Sequence, residues 1–162
     1  RQSISNEDEV VPLAREVEYA KGYLTIQKMR YKDKLEFEIE VEPSILNIPL
    51  IKLVLQPIIE NAIYHGLKYK ESKGLLQVKG FMKDGNAVLQ VIDNGVGMDE
   101  ETLSHIYDKH KVNYHSNGVG VYNVQKRLKL YYGENYGITY ESEKGVGTTA
   151  TITIPGIQEE SI

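Results

Sequence analysis

Two apolar-rich segments joined by a two-residue turn constrain the fold of this chain more than any other feature. Residues 75–83 and 86–93 each have the length and composition of a β-strand, and Asp84-Gly85 lies between them. Asp-Gly readily adopts the positive φ angles that a tight hairpin requires. The sequence therefore predicts an antiparallel β-hairpin in the middle of the chain.

Further strands are predicted on both sides of this hairpin. An acidic, alternating segment that ends before Pro43 predicts a half-buried strand, and two segments around Lys144-Gly145 predict a second hairpin. These strands cover residues 35–41, 138–141 and 149–154.

Helices are predicted where apolar residues recur at helical spacing. These segments are residues 11–31, 49–67, 98–107 and 121–132. The second is apolar nearly all round and contains Pro57, whose ring and missing N–H cost about 3 kcal/mol inside a helix. We therefore expect a buried helix with a kink or break at Pro57.

Length and charge limit the class of protein. A chain of 162 residues that is 41% hydrophobic is of the usual size for one compact domain. Its formal charge of -4, from 19 Lys+Arg and 23 Asp+Glu, lacks the basic excess of proteins that bind a nucleic-acid backbone. A nucleic-acid partner is not expected.

The chain contains no cysteine. A disulfide framework, a thiolate metal site and a thiol nucleophile are therefore excluded, and a reducing compartment is favoured. The most apolar stretch, residues 45–63, is interrupted by charged residues and prolines, so we expect no membrane span and no direct membrane contact.

Three G-x-G units punctuate the second half of the chain, starting at Gly95, Gly118 and Gly145. Glycine lets backbone N–H groups approach a phosphate closely, but a single unit of this kind is more often an ordinary turn. The third unit lies between two predicted strands and is the one most typical of a plain hairpin. The chain contains no G-x-x-x-x-G-K-[ST] sequence and therefore no P-loop, and no G-x-G unit is followed by the third glycine of a dinucleotide-binding fingerprint.

Two polar residues occupy positions where the patterns predict apolar surroundings. If Leu89 and Val91 face the core, the strand period of two places Asp93 on the same buried face, where an unpaired carboxylate is costly. The alternative is an Asx-turn in which Asp93 caps the following bend. Asn61 lies in the apolar helical segment and poses the same question, its alternatives being a solvent-facing amide or one satisfied within the core.

Four motifs in order resemble the ATP-binding module shared by histidine kinases, gyrase, HSP90 and MutL, the GHKL superfamily. They are QPIIENAIYHG at residues 56–66, VIDNGVGMD at 91–99, NGVGVYNVQKRL at 117–128 and GVGTT at 145–149. The first and third are most similar to sensor histidine kinases of the LytS and YesM type. Four motifs in the expected order and contexts are far more specific than any one of them.

The resemblance implies an α/β fold, a two-layer sandwich with helices on one face of a mixed β-sheet, known as the Bergerat-type ATP-binding fold. It implies three parts: residues 1–31 as the end of a dimerisation or linker helix region, in which YLTIQKMRY carries the likeness, 32–157 as the catalytic ATPase domain, and 158–162 as a flexible tail.

By the same resemblance, Asn61 is the ligand of magnesium and Asp93 accepts a hydrogen bond from the adenine amino group of ATP. A carboxylate facing the O6 of guanine would set acceptor against acceptor, which favours ATP over GTP. Further ATP-binding residues implied by the motifs are Gly95, Gly97, Gly118, Gly120 and Thr148. Residues 108–117 would form the lid.

Three features of the first motif bear on catalysis, and two of them, Pro57 and the pair Tyr64-His65, are departures from the relatives. Pro57 replaces the glutamate that activates water in relatives that hydrolyse ATP, so fast hydrolysis is not expected. Glu60 could act through a metal-bound water or be a surface carboxylate. Tyr64 and His65 stand where many relatives have a phosphate-contacting lysine, so that contact passes to His65 or to a lid residue such as Lys109 or Lys111. For His65 the alternative is an ordinary position on the helix surface. The implied catalytic residues are Asn61, Glu60 and His65.

The implied function is transfer of the γ-phosphoryl group of ATP to a histidine. In the family that histidine lies in an upstream N-P-H-F motif, which this chain lacks, so we expect little self-phosphorylation. The expected partners are the histidine of the parent's own dimerisation domain and a response regulator, with a homodimeric parent in the bacterial plasma membrane and this domain in the cytoplasm. The alternatives are an anti-sigma-factor type serine kinase and a module that only binds ATP.

Overall fold

A computed structural model describes residues 9–108 and 120–157. Its centre is a five-stranded mixed sheet with the order β2-β4-β5-β7-β6. These strands are β2 (Leu35–Val41), β4 (Gly74–Lys83), β5 (Asn86–Asp93), β6 (Gly137–Glu143) and β7 (Gly147–Pro155). β2 runs parallel to β4, and the other neighbours are antiparallel. Both predicted hairpins and the predicted strand at residues 35–41 are confirmed.

The helices cover one face of this sheet. They are α1 (Leu13–Tyr31), α2 (Leu55–Asn61) with a π-helical continuation (Ala62–Leu67), α3 (Glu100–Ser104) and α4 (Val121–Tyr132). Buried side chains of α1, α2 and α4 form one core with every second residue of the central strands, such as Leu76, Leu89 and Ile152. The predicted two-layer α/β arrangement is confirmed.

A two-stranded sheet stands apart from the main one. It pairs β1 (Val10–Pro12) with β3 (Pro49–Ile51) in antiparallel register. The prediction of a helix from residue 11 was wrong by two residues, because Val11 pairs with Leu50 before α1 begins at Leu13.

The prediction of one kinked helix over residues 49–67 was wrong. Its first residues form β3, a turn follows in which Leu53 has a φ of 62°, and α2 begins only at Leu55. Pro57 is therefore the third residue of α2, where its missing N–H has no helical partner to lose and causes no break. Helix α3 is shorter than predicted, whereas α4 has the predicted bounds.

The carboxylate of Glu16 holds the turn before α2. Glu16 is 3% exposed and accepts hydrogen bonds from the backbone N–H groups of Leu53, Val54 and Leu55 at 2.9–3.1 Å. These are unpaired donors at a helix N-terminus, so a side chain of α1 caps α2.

None of the helices within the described residues is both long and apolar enough to cross a lipid bilayer.

Candidate functional site

Strand β5 ends in a buried carboxylate. Asp93 is 5% exposed, and its Oδ1 accepts a hydrogen bond of 2.8 Å from the N–H of Gly95. Burial raises the pKa of this carboxyl from 3.8 to about 6, although hydrogen bonds from the N–H groups of Gly95 and Thr148 oppose the rise. The predicted buried position and the alternative Asx-turn are thus both present.

The loop after Asp93 packs directly on the helical layer through glycines. A Cβ on Gly95 would overlap the backbone of Gly66, and the N–H of Val96 donates to the Gly66 carbonyl at 2.9 Å. A Cβ on Gly66 would lie 2.8 Å from Asp93 Oδ1. Because neither Gly66 nor Gly95 has a side chain, the carboxylate of Asp93 lies directly against the π-helical turn.

Two more glycines lock this loop onto the second hairpin. Gly97 has a φ of 69°, and a Cβ there would overlap the carbonyl of Glu143. Gly147 has a φ of 147°, and a Cβ there would overlap the carbonyl of Asp93. The third G-x-G unit does form a hairpin turn, but Gly147 also permits a close backbone approach that the sequence pattern did not predict.

A cavity of about 170 Å³ lies between the helical segment and the sheet. Five of the predicted site residues line it together: Asn61, His65, Asp93, Gly97 and Thr148. Most of the remaining wall is apolar and comes from Ile58, Val91, Met98, Ile106 and Ala150. An apolar cleft with a few placed polar groups is the usual form of a small-molecule site.

Asn61 and His65 face the cavity from the junction of α2 and the π-helical turn. The backbone widens here, since the N–H of Lys68 donates to the carbonyl of Ile63, five residues earlier, at 2.9 Å. Turns of this kind are frequent at functional sites. The His65 ring also packs edge-on against Tyr64, with ring centroids 4.8 Å apart.

Glu60 is not among the cavity residues. Its carboxylate accepts a hydrogen bond of 3.1 Å from Gln56 and lies near Tyr23 of α1. Burial raises the pKa of Tyr23 to about 12, and the negative charge of Glu60 adds to that rise. Glu60 therefore faces α1, away from Asn61's side of the helix.

The other predicted glycines lie elsewhere. Gly95 contacts the helical layer and does not line the cavity, and Gly120 precedes α4 with open space around it. Gly118 lies outside the described residues, as do Lys109, Lys111 and all of the predicted lid except Asp108.

The sequence interpretation missed Tyr140, which also lines the cavity. It lies on β6 opposite Ala150, which in turn pairs with Val91 of β5. The strand pattern placed Tyr140 in a strand, but only the register across three strands shows that the small side chain of Ala150 leaves room beside it.

Family models match both parts of the chain. One described as Histidine kinase-, DNA gyrase B-, and HSP90-like ATPase matches residues 47–158, and one described as Histidine kinase matches residues 1–35. The first covers well over half of the chain and includes every predicted site residue.

Two curated relatives are sensor kinases. The sensor histidine kinase YesM of Bacillus subtilis is 31% identical over 155 residues, which make up 96% of this chain and 26% of YesM. The sensor protein LytS of Oceanobacillus iheyensis is 35% identical over 130 residues, or 79% of this chain and 22% of LytS. The chain thus spans about a quarter of the length of these relatives.

Solved structures of the histidine kinase ThkA share the fold. The catalytic domain alone is 15% identical, with 91% of this chain and 98% of that chain covered and a TM-score of 0.68. ThkA in complex with the response regulator protein TrrA is 18% identical, with 92% and 42% covered and a TM-score of 0.66. The chain belongs to the histidine kinase-, DNA gyrase B- and HSP90-like ATPase family, and within that family it is similar to a part of the sensor kinases YesM and LytS.

Proposed function

We propose that this chain binds ATP in the cavity between α2 and the sheet, and that the protein it belongs to transfers the γ-phosphoryl group to a histidine outside the chain. The observation that carries the proposal is that Asp93 and Asn61 line one cavity. Each is a polar side chain in a largely apolar wall, and an adenine nucleotide with magnesium offers a partner to both.

Asp93 would select the base. A carboxylate accepts a hydrogen bond from the amino group of adenine, whereas the O6 of guanine presents a second acceptor. A buried mismatch of this kind costs about 1–3 kcal/mol. Thr148 pairs with Asp93 across the β5 and β7 strands and would therefore stand beside the base.

Asn61 would hold magnesium. Its amide supplies one carbonyl oxygen to the cavity, and magnesium in nucleotide sites takes few protein ligands because the phosphates supply others. Among residues 9–108 and 120–157, no three His, Cys, Asp or Glu side chains gather as a separate metal site. Bound magnesium would neutralise charge on the phosphates.

The chain's own contribution to catalysis would be mainly positioning. Asp93 would fix the base and Asn61 would fix the metal, and His65, which also lines the cavity, would donate to a phosphate oxygen. Glu60 would have to turn from Tyr23 towards the cavity to act through a metal-bound water. Pro57, in the first turn of α2, cannot activate water, which favours transfer over hydrolysis.

The proposed acceptor is a histidine of the dimerisation region, and the proposed recipient thereafter is a response regulator. The match of residues 1–35 to a histidine kinase model and the ThkA–TrrA complex support these partners. We further propose a homodimeric parent protein in the bacterial plasma membrane, with this domain in the cytoplasm.

The test is phosphohistidine labelling with radioactive ATP. The isolated chain should bind ATP and label weakly or not at all, and the chain joined to its native upstream region should label on histidine. Strong self-labelling of the isolated chain would contradict the placement of the acceptor. Binding without transfer in the longer protein would support the module that only binds ATP, and label on serine would support the serine kinase.

A further inference from the structure

The hydroxyl of Tyr140 is an enclosed polar group that lacks a hydrogen-bond partner among the described residues. Its oxygen is buried and makes no hydrogen bond to any part of the chain that the structure describes. The neighbouring Tyr107 differs, because its hydroxyl donates to the carbonyl of Ile138 at 2.9 Å. An unsatisfied buried hydroxyl costs free energy that phenylalanine at the same position would avoid. The hydroxyl of Tyr140 is therefore available for a hydrogen bond that forms when a ligand binds.

Asn61 is the polar side chain that faces this hydroxyl. Both residues line the same cavity, Asn61 from the helical layer and Tyr140 from the sheet. Burial raises the pKa of Tyr140, and the nearby Asn61 amide opposes the rise. The two groups are thus neighbours, although they do not meet hydrogen-bond geometry.

The chemistry of an amide makes this pairing directional. An asparagine offers one acceptor oxygen and two N–H donors. If the oxygen binds a cation, the amide nitrogen must turn the other way and needs an acceptor. A tyrosine hydroxyl oxygen can accept such a hydrogen bond.

We propose that Tyr140 is a positioning residue whose hydroxyl accepts a hydrogen bond from Asn61 Nδ2 and thereby turns Asn61 Oδ1 towards the magnesium of the bound nucleotide. This inference rests on the proposed function. A residue that hydrogen-bonds to the ligand of a metal holds that ligand in its binding orientation, so its loss commonly weakens metal binding.

Tyr140→Phe tests the proposal, because it removes only the hydroxyl. The affinity for ATP is measured by calorimetry with magnesium and again with EDTA, and the ratio of the two is the magnesium-dependent gain. We expect Tyr140→Phe to reduce this gain roughly two- to tenfold, the effect of one hydrogen bond, while leaving the affinity in EDTA unchanged. The melting temperature of the free variant should not fall, since the lost hydroxyl has no partner there.

Tyr107→Phe is the matched control. Its ring lies next to that of Tyr140, with centroids 5.9 Å apart, but its hydroxyl bonds to a backbone carbonyl. We expect this variant to be less stable and to keep the magnesium-dependent gain of the wild type.

The other outcomes overturn the inference in distinguishable ways. An unchanged gain in Tyr140→Phe would show that the hydroxyl does not serve Asn61. An equal loss with magnesium and with EDTA would show that it contacts the nucleotide itself. A wild type that binds ATP without any magnesium-dependent gain would refute the metal role of Asn61, and a wild type that does not bind ATP would refute the proposed function.

Discussion

At the scale of single residues, Asp93 carries most of the proposed chemistry. It is buried, it caps the turn at Gly95, and it borders the cavity. An acid whose pKa is raised in the folded state binds its proton more tightly there than in the unfolded chain. The ionised form therefore costs folding stability, and stability falls as pH rises from about 4 to about 6 and then levels off.

The affinity for ATP should change in the opposite direction. The ionised carboxylate is the better acceptor for the adenine amino group. We expect the affinity to increase as pH rises through about 6, the pKa of Asp93 in the free protein, and to be level above it. Fluorescence or calorimetric titration between pH 5 and about 8 measures this.

Asp93→Asn separates this effect from the titration of ATP itself. The amide does not ionise, so the variant should bind more weakly and lose the step that belongs to the carboxylate. The same pH profile in the variant and the wild type would contradict the role of Asp93.

Gly66 offers a second test at this scale. A methyl group there would lie 2.8 Å from Asp93 Oδ1 in a packed region, so Gly66→Ala should destabilise the fold by about 1–3 kcal/mol and weaken ATP binding. Gly22→Ala is the control, because no atom lies within 4 Å of the added methyl and alanine favours a helix by up to about 1 kcal/mol. Urea unfolding and ATP titration of both variants give the comparison, and a Gly66→Ala variant as stable as Gly22→Ala would refute the close packing.

The sequence was informative about residues whose neighbours are local. The strand period alone placed Asp93 on the buried face, and Asp84-Gly85 fixed the central hairpin. Tyr140 could not be predicted in the same way, because its enclosure depends on Ala150 from another strand and Asn61 from a helix. The close backbone approach at Gly147 was not predicted for the same reason.

At the scale of elements, the start of α2 shows where sequence patterns fail. Residues 49–54 are apolar and suit a helix by pattern, but Leu53 adopts a positive φ and the helix starts after it. What fixes this start is Glu16, 37 residues earlier than Leu53 in the chain. Arg127 of α4 also donates to the carbonyls of Lys52 and Leu53, so the turn is held from two helices.

Glu16→Gln should therefore destabilise the protein. The amide keeps one acceptor but turns an NH₂ group towards backbone donors that the carboxylate now satisfies. We expect a loss of about 2–3 kcal/mol in the free energy of unfolding, since hydrogen bonds to charged groups are worth about 1.5–3 kcal/mol each.

Glu18→Gln is the matched control for this variant. Glu18 is exposed on the same helix, so its change should stay within about 0.5 kcal/mol. Urea unfolding measures both variants, and equal stabilities would mean that Glu16 does not cap α2.

At the scale of the whole molecule, the layers bring the two halves of the site together. The sheet order places β7 between β5 and β6, so Asp93, Thr148 and Tyr140 come from three adjacent strands. Asn61 faces these three residues from the helical layer, across the cavity. The sandwich as a whole followed from the four motifs and their order, whereas the facing of Glu60 towards α1 depended on how α1 and α2 pack.

In the proposed site, one cavity holds the nucleotide, with Asp93 facing the base and Asn61 facing the metal. The most direct test is calorimetry of ATP with magnesium against the wild type, Asp93→Ala and Asn61→Ala, with circular dichroism to confirm that each variant is folded. Asp93→Ala loses a hydrogen bond to a charged group, so this variant should bind ATP roughly ten- to a hundredfold more weakly. Asn61→Ala should lose the magnesium-dependent gain in ATP affinity. A folded Asp93→Ala variant that binds ATP as tightly as the wild type would contradict the account.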